Sequence, residues 1–499
     1  MKALTGLPAL SLELGGAPLD APAARALASV RVRQALSVPS VCELTWVDPP
    51  DEVGDVGARL VVRVADREPA LFQGEVTAIE LAYGASRQRE VRLRAYDALH
   101  RLRKRQPVRA HVQVTVADLA RELCADLGVS VACAEDGPLW PWFVQWRESD
   151  LDLLAGLAER SGLYLALRGD TLHLLTLEGE GGALPLAAGD DLLECAVEVN
   201  ADPACRRVAA AGWDLHAVEA HSGRAERARV GRSVDAEAPP SAVGAGGERV
   251  LPDVIAPTPA HADAAAQAEL DRRIAREVVL RGVAEGDPAL RPGARVELRG
   301  VAPRLAGTYV VTEATHVLDA RRGFLTELST EPPPARPASA SAGMTVATVS
   351  RVDAGTGRVK VALTSFGDVE TDWMQVLSPG AGADKGLAVL PDTGDLVVVL
   401  FARGEPAQGI VLGGLYGAKG PYDAGVEGGA VRRFTLRTPG GHVLRLDDDR
   451  RALRIEDARG SFVEMSPDEV RLRSRVPLFL EAPGQPVVIR GDRVDFRRG

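Results

Sequence analysis

The chain has 499 residues, which is too long for one hydrophobic core, and at the usual domain size we expect about three or four domains. A composition of 46% hydrophobic and 26% charged residues is that of a folded soluble protein and excludes wholesale disorder. The formal net charge of -10, without any long basic block, argues against nucleic-acid recognition, because a phosphate backbone requires a concentrated positive surface.

The cysteines and the N-terminus indicate the compartment. The five cysteines are an odd, sparse set without a C-x-x-C pair, so they predict neither a disulfide framework nor a zinc site: Cys42, Cys124, Cys133, Cys195 and Cys205. The first residues lack the basic and apolar parts of a signal peptide, and no stretch reaches the roughly 20 apolar residues of a membrane span. We therefore expect cytoplasmic synthesis and assembly without a signal peptide, and any later export by another route.

The first hundred residues alternate apolar and polar positions in short runs such as LSLEL and REVRLRAYD, which predicts strands. Two helices are predicted next, near residues 115–128 and 149–162. Thr115 and Ser149 are placed as N-caps, and each has an aspartate three residues later, Asp118 and Asp152. The opening of the chain is therefore predicted to be a β-rich α+β domain.

A third helix is predicted near residues 261–282, because apolar residues recur every four positions and the opposite side is charged. The segment 233–259 before it is rich in Pro, Ala and Gly, and we interpret it as an exposed connection. A meander of three strands follows the helix. The Pro- and Ala-rich sequence EPPPARPASASAGM then predicts a linker between domains.

Five short strands are predicted between residues 344 and 417, enough for a small closed barrel of the OB type: TVATVSRV, GRVKVAL, KGLAVLP, GDLVVVLF and QGIVLGGLY. Alternate residues of the last two runs are expected to fill the barrel. Gly413 and Gly414 permit a close bend there. The whole segment 394–417, GDLVVVLFARGEPAQGIVLGGLYG, contains no candidate nucleophile or metal cluster.

From Val431 onward the chain shows two-residue alternation with turns and no helix that could cover a sheet. Such a tail would expose an apolar face and unpaired edges, so it is not expected to be stable alone. Several identical chains that wrap together would bury these faces on a common axis. We predict that the axis is packed by Val470, Leu472, Leu478, Leu480 and Ile489.

No catalytic residue, cofactor site or metal site is predicted. The histidines are scattered, and His316 is expected to form a hydrogen bond within a strand. Asp447, Asp448 and Asp449 lack the glycine and distant glutamate of a calcium loop, so we interpret them as a solvated hairpin turn. The dozen or so residues between the barrel and the tail leave no room for an inserted lysozyme domain.

Four segments in order carry a family resemblance. GDLVVVLFARGEPAQGIVLGGLYG resembles a motif of contractile-injection spikes, the valine-glycine repeat (VgrG-like) and phage tail-spike family. YVVTEATHVLDARRGFLTEL, and YDALHRLRKRQPV with the two capped helices, are similar to the late control protein D and baseplate-hub portion. ALRIEDARGSFVEMSPDEVRLRS resembles the opening of the family's triple-stranded β-helix. The short tail favours the spike of a phage-tail-like or extracellular contractile injection system.

The resemblance implies a mainly β fold with four parts. These are a baseplate hub of two β-barrel-like domains with inserted helices (1–331), a linker (332–343), an OB-fold barrel (344–417) and a β-helix spike formed by a trimer (418–499). It also implies a homotrimer that joins a ring of the inner tube and the baseplate proteins to a needle that meets the target membrane transiently. A PAAR-type tip protein would dock near Val494 and Phe496.

The expected function is therefore structural and not enzymatic. The alternative is a secreted multi-module β hydrolase or carbohydrate-binding protein, which would need aromatic binding platforms, whereas aromatic residues make up only 4% of the chain.

Overall fold

A computed structural model describes residues 9–49, 53–84, 88–214, 219–244, 246–336, 343–401, 409–417 and 420–495. The chain divides into two compact units, residues 1–414 and residues 415–499. Each unit is described by itself.

The helices are α1 (Ala21–Ala26), α2 (His100–Arg103), α3 (Val116–Cys124), α4 (Asp150–Arg160) and α5 (Pro259–Glu277), with short 3-10 turns at Pro240–Val243, Pro303–Leu305 and Thr364–Phe366. The strands of the hub portion are β1 (Leu10–Leu14), β2 (Ala17–Pro18), β3 (Leu27–Ala35), β4 (Val41–Val47), β5 (Arg59–Val64), β6 (Phe72–Tyr83), β7 (Arg89–Tyr96), β8 (Arg109–Val114), β9 (Ser130–Cys133), β10 (Trp140–Gln145), β11 (Tyr164–Arg168), β12 (Thr171–Leu175), β13 (Glu180–Ala187), β14 (Leu192–Val199), β15 (Arg207–Asp214), β16 (Glu219–Ala225), β17 (Glu248–Val254), β18 (Val278–Glu285), β19 (Ala294–Arg299), β20 (Gly307–Val310), β21 (Glu313–Asp319) and β22 (Gly323–Ser329).

The remaining strands of the first unit are β23 (Gly343–Val352), β24 (Val359–Leu363), β25 (Val369–Glu370), β26 (Gln375–Val376), β27 (Leu396–Phe401) and β28 (Gly409–Leu415), the last of which reaches the boundary of the second unit. The second unit contains β29 (Val426–Glu427), β30 (Ala430–Val431), β31 (Arg433–Arg437), β32 (Val443–Asp447), β33 (Ala452–Glu456), β34 (Phe462–Met465) and β35 (Val470–Arg473). The prediction of a mainly β chain with few helices is confirmed.

The two capped helices begin as predicted, but α3 ends at Cys124 and not near residue 128, where only turns follow. The Thr115 hydroxyl accepts a hydrogen bond from the Asp118 backbone N–H at 3.1 Å, and the Asp118 carboxylate accepts one from the Thr115 N–H at 3.2 Å. This reciprocal pair is a capping box, which satisfies two donors at the start of α3. Ser149 accepts from the Asp152 N–H at 3.1 Å at the start of α4. One face of each helix enters a shared apolar core with β10, β11 and β12.

Two sequence interpretations of this region are wrong in detail. The third helix, α5, ends at Glu277 and not at 282, because the run Val278–Val279–Leu280 pairs with β14 as strand β18 and enters the core. Residues rich in β-branched side chains favour a strand where a sheet edge is available. The segment 233–259 is not simply an exposed connection, since β17 pairs in parallel with β15 and Ala236 and Ala238 are buried.

An eleven-stranded sheet unites the two halves of the hub, in the order β14-β18-β22-β21-β3-β4-β7-β6-β5-β1-β2. The hairpin of β21 and β22 lies between the halves and serves both cores. Its Leu318 and Phe324 pack with the core of β3 to β7, whereas Ala314 and Leu328 pack with the core of β18 and β19. Neither core is complete without this hairpin.

His316 lies in this hairpin and is completely buried. Its Nδ1 is 2.9 Å from the hydroxyl of Thr326, the residue directly opposite on β22, so His316 does form a hydrogen bond, but between two strands and not within one. Burial lowers the pKa of His316 to about 3, because the charged imidazolium loses its hydration. The folded hub therefore holds this imidazole neutral.

We expect acid to destabilise the hub partly through His316. The unfolded chain binds a proton at this residue near pH 6.5 and the folded chain only near pH 3, so stability falls as the pH drops through this window. By pH 4 the contribution is about 3 kcal/mol. In urea unfolding, the free energy of unfolding should decrease less between pH 7 and pH 4.5 in His316→Gln than in wild type. Equal acid effects in the two proteins would contradict the assignment.

The predicted barrel forms a six-stranded sheet in the order β25-β24-β23-β27-β28-β26. Its core contains the alternate residues Val397, Val399 and Phe401 of β27 together with Val411 of β28, as expected. The expected strand KGLAVLP is not formed. Residues 385–391 are irregular and largely exposed, because β27 is already paired with β23 and β28 on its two sides and leaves no edge for a further strand. The turn 402–408 lies outside the described residues.

The second unit consists of the short hairpin of β29 and β30 followed by an antiparallel meander, β31-β32-β33-β34-β35. Asp447, Asp448 and Asp449 lead from β32 into the turn before β33, and the Asp447 carboxylate accepts a hydrogen bond from the Arg450 N–H at 3.0 Å. The interpretation as a solvated hairpin turn holds for the exposed Asp448 and Asp449, but Asp447 ends β32 and is buried. Residues 474–495 contain neither helix nor strand in the described chain.

Candidate assembly surfaces

One face of the meander β31 to β35 is entirely apolar, and we call it the apolar face. Directly opposed residues in an antiparallel sheet project to the same side, so the strand register assigns every side chain to a face. The register places ten apolar residues and no polar residue on this side: Phe434, Leu436, Leu444, Leu446, Leu453, Ile455, Val463, Met465, Val470 and Leu472.

The opposite face, which we call the charged face, is stabilised by ion pairs. Arg454 reaches both Glu456 and Glu464 at 2.9 Å. Asp423, from the segment before β29, lies 3.3 Å from Arg433 and 3.4 Å from Arg445. The hydrogen bond from Arg433 lowers the pKa of the Asp423 carboxyl to about 2. Most of the contacts of these charged side chains are therefore made within one chain, although the Nε of Arg445 is buried without a hydrogen-bond partner.

The apolar face has no such cover in one chain. Seven of its ten residues are 45% to 72% exposed, and the other three are partly exposed. A contiguous apolar patch on a soluble protein marks an interaction surface, because its hydration is unfavourable by about 25 cal/mol for each Å². The asymmetry between the two faces is the strongest sign of assembly in the described chain.

The predicted axis residues fall into two groups. Val470 and Leu472 lie on the apolar face, where β35 places them beside Met465 and Val463. Leu478, Leu480 and Ile489 lie in the irregular segment 474–495 and are exposed, so the structure of one chain does not bring them together with the apolar face. Their role on a common axis remains a prediction.

The predicted docking site for a tip protein is described only in part. Val494 is exposed, and Phe496 lies outside the described residues. The role of Val494 and Phe496 in docking a tip protein also remains a prediction.

The remaining eight residues of the apolar face were not named from the sequence. The signal was present, since the same alternation of period two extends over residues 433–465. Only strand pairing shows that five separate alternating runs share one side of one sheet.

A second contact surface joins the hub portion to the OB barrel within the first unit. Trp146, just after β10, packs against Phe366 with ring centroids 4.8 Å apart and against the buried Phe401 at 5.9 Å. The guanidinium of Arg147 lies 4.3 Å from the centre of the same indole ring. Trp146 thus extends the apolar core of the barrel with a residue that the hub supplies.

The chain between hub and barrel is also fixed at its start. The backbone N–H of Arg336 donates to Glu159 at 3.0 Å, and its guanidinium lies 3.2 Å from Asp152, both on α4. The residues from 337 to 342 lie outside the described residues. Trp146 therefore packs the barrel against the hub, and Arg336 fixes the start of the linker to α4.

The described residues contain no group of three or more His, Cys, Asp or Glu side chains that could hold a metal ion. Within the same part of the chain, no helix is both long and apolar enough to cross a membrane.

Comparison with protein families identifies the hub portion. Residues 34–321 match the family described as "Phage tail baseplate hub (GPD)", which is more than half of the chain. The chain belongs to this baseplate hub family. In the same hub protein, residues 345–416 match the "Type VI secretion system/phage-baseplate injector OB domain". The resemblance to VgrG-like spikes and to the late control protein D portion is thereby confirmed.

Solved structures share the fold of this hub protein at low sequence identity. An Escherichia coli protein, c3393, described as a type VI secretion component similar to T4 bacteriophage tail proteins gp27 and gp5, is 14% identical with a TM-score of 0.56, covering 81% of this chain and 99% of its own. The Francisella PdpA-VgrG complex is 6% identical with a TM-score of 0.54, covering 94% and 80%.

A prophage MuSo2 43 kDa tail protein from Shewanella oneidensis is 14% identical with a TM-score of 0.51, covering 65% and 98%. A comparison with curated proteins found no match. The family matches make this a phage baseplate hub protein with an injector OB domain of the type VI and phage-baseplate kind.

Proposed function

We propose that this protein is the trimeric hub and spike of a contractile injection machine, a phage-tail-like particle or a secretion system. It would link a hexameric inner tube to a threefold, membrane-piercing needle. The membership in a family of structural hub proteins supports the first half of the proposal. The exposed apolar face of the tail meander supports the second half and is the observation on which trimer formation depends.

A trimer would remove the apolar face of the C-terminal meander from water. Three meanders that turn their apolar faces inward would bury thirty side chains, ten from each chain, and leave the charged faces outward in water. The segment 474–495, with Leu478, Leu480 and Ile489, would extend the same packing toward the C-terminus. Rigid penetration, driven by contraction elsewhere in the machine, needs such a continuous apolar column and requires no chemical step. The protein would therefore not be an enzyme.

The partners follow from this arrangement. The hub portion would meet a ring of the inner tube and the baseplate proteins, and the C-terminal end near Val494 and Phe496 would carry a PAAR-type tip protein. Synthesis and assembly would take place in the cytoplasm, and the tip would be delivered outside the cell and meet the target membrane transiently.

The mass in solution tests the proposal. We expect the full chain to have three times its 52.7 kDa mass by light scattering. A mass of one chain over a range of concentrations would reject the spike, and glycan binding by such a monomer would favour a carbohydrate-binding protein instead.

A further inference from the structure

A cavity of about 90 Å³ lies in the first unit where three parts of the hub meet. Its wall comes from the end of β3 and the turn into β4, from the connection of β5 and β6, and from β11 together with the loop before β19. The volume is sufficient for a few water molecules or for one small polar group of a ligand. The side chains that matter for its chemistry are Gln34, Asp97, Arg168 and Arg291.

Two arginines, Arg168 and Arg291, line the cavity. The nearby Glu180 carboxylate forms an ion pair with Arg168. Arg168 is 12% exposed; its guanidinium lies 2.6 Å from Glu180 and donates to the Pro292 carbonyl at 2.8 Å, while its Nε is buried without a hydrogen-bond partner. Arg291 is partly buried, and its guanidinium has no hydrogen bond or ion pair with any described residue; its backbone carbonyl accepts from the Ala294 N–H at 3.0 Å. Burial and the nearby Arg168 lower the pKa of Arg291, and Glu180 opposes this.

Asp97 does not neutralise the second arginine. It is the acidic residue of the described wall, and both of its oxygens are already engaged by backbone donors, the Ser40 N–H at 2.7 Å and the Leu99 N–H at 3.1 Å. Burial also raises the pKa of Asp97 to about 6, so its charge is disfavoured. Arg168 is paired with Glu180, so the guanidinium of Arg291 is the one cation of the described wall without a bound carboxylate.

Gln34 adds an acceptor that lacks a donor. Its Nε2 donates to the Leu71 carbonyl at 3.2 Å, which fixes the amide, and its Oε1 is buried without a hydrogen-bond partner. A buried carbonyl oxygen without a donor is unfavourable by about 1–3 kcal/mol. The cavity therefore offers guanidinium donors for one anion and a carbonyl oxygen for one N–H group.

We propose that this cavity binds a carboxylate that carries an amide N–H close by, which is the chemistry of an acidic residue in a peptide. A guanidinium group matches a planar carboxylate with two parallel N–H donors. One carboxylate matches the single unpaired guanidinium of Arg291, whereas a phosphate dianion carries about twice that charge. The proposal does not depend on trimer formation, because every residue involved belongs to one chain.

Calorimetric titration of the full chain with N-acetylglutamate amide, butyrate and inorganic phosphate tests the proposal. We expect saturable binding of N-acetylglutamate amide, with clearly weaker binding of butyrate, because it lacks an N–H for Gln34, and of phosphate. Arg291→Gln should weaken the binding of N-acetylglutamate amide about tenfold or more, since it removes a charged hydrogen bond. The matched control is Arg321→Gln, which changes an exposed arginine in the turn between β21 and β22 and should leave binding unchanged.

Two further outcomes decide the question. Gln34→Leu should reduce the preference for N-acetylglutamate amide over butyrate, while both ligands still bind. Absence of binding to wild type, equal binding to Arg291→Gln with an unchanged melting temperature, or equal affinity for butyrate or phosphate would each overturn the proposal. Since Arg291 has no described partner, its substitution is not expected to unfold the hub.

Discussion

Leu472→Asp is expected to convert the protein from a trimer to a monomer. Leu472 lies on the apolar face and is 53% exposed in one chain, so an aspartate there costs little in the isolated subunit. In a trimer that packs these faces inward, three carboxylates would meet in an apolar interior. Three lost leucines and three buried charges should destabilise the assembly by more than about 5 kcal/mol. Light scattering of the purified variant should give one chain mass and not three.

The next residue provides the matched control. Arg473 lies on the charged face of the same strand, opposite Phe462. Arg473→Asp changes the charge by a larger amount but leaves the apolar face intact, so we expect it to remain trimeric. If Leu472→Asp stayed trimeric as well, the inward packing of the apolar face would be refuted. If both variants became monomers, the effect would be one of net charge and would not depend on the face.

Trp146→Ala is expected to uncouple the OB barrel from the hub. The indole covers Phe401 and Phe366 at the edge of the barrel core, and its removal leaves an apolar gap. A loss of about 3 kcal/mol in the stability of the barrel follows from the size of the side chain and its partial burial. Scanning calorimetry should show the barrel as a separate transition at lower temperature in the variant.

A double-mutant cycle separates this contact from general destabilisation. Trp146→Ala combined with Phe366→Ala should show a coupling energy of about 1 kcal/mol, as expected for an aromatic pair in contact. Trp373 provides the comparison, because it lies in the barrel beside Lys360. Trp146→Ala with Trp373→Ala should be additive. Additive behaviour of the first pair would show that the contact between Trp146 and Phe366 does not stabilise the protein.

The sequence predicted the elements that depend on local signals. The helix starts could be predicted from the N-caps Thr115 and Ser149. Each hydroxyl accepts a hydrogen bond from the backbone N–H three residues later, and this contact requires no residue from elsewhere in the fold. The alternation of β27 predicted which of its side chains enter the barrel. The exposed apolar side of the C-terminal sheet was likewise expected from the two-residue alternation of apolar and polar residues.

Features that depend on distant partners could not be predicted. Residues 385–391 have the composition of a strand, but whether they form one depends on whether β27 has a free edge. The end of α5 depends on β14, which supplies the pairing for Val278. The cavity of the hub is lined by Gln34, Arg168 and Arg291 from three separate parts of the chain. No spacing pattern in the sequence predicts that these residues lie together.

The hairpin of β21 and β22 has a consequence for how the protein is made. Arg33 on β3 pairs with Glu313 on β21, 280 residues later. At about 5–20 residues per second, the ribosome needs tens of seconds to supply this partner after β3 has emerged. During that time the edge of β3 that β21 will occupy is open to wrong pairing. The yield of folded protein should therefore depend on the rate of translation as well as on the stability of the finished hub.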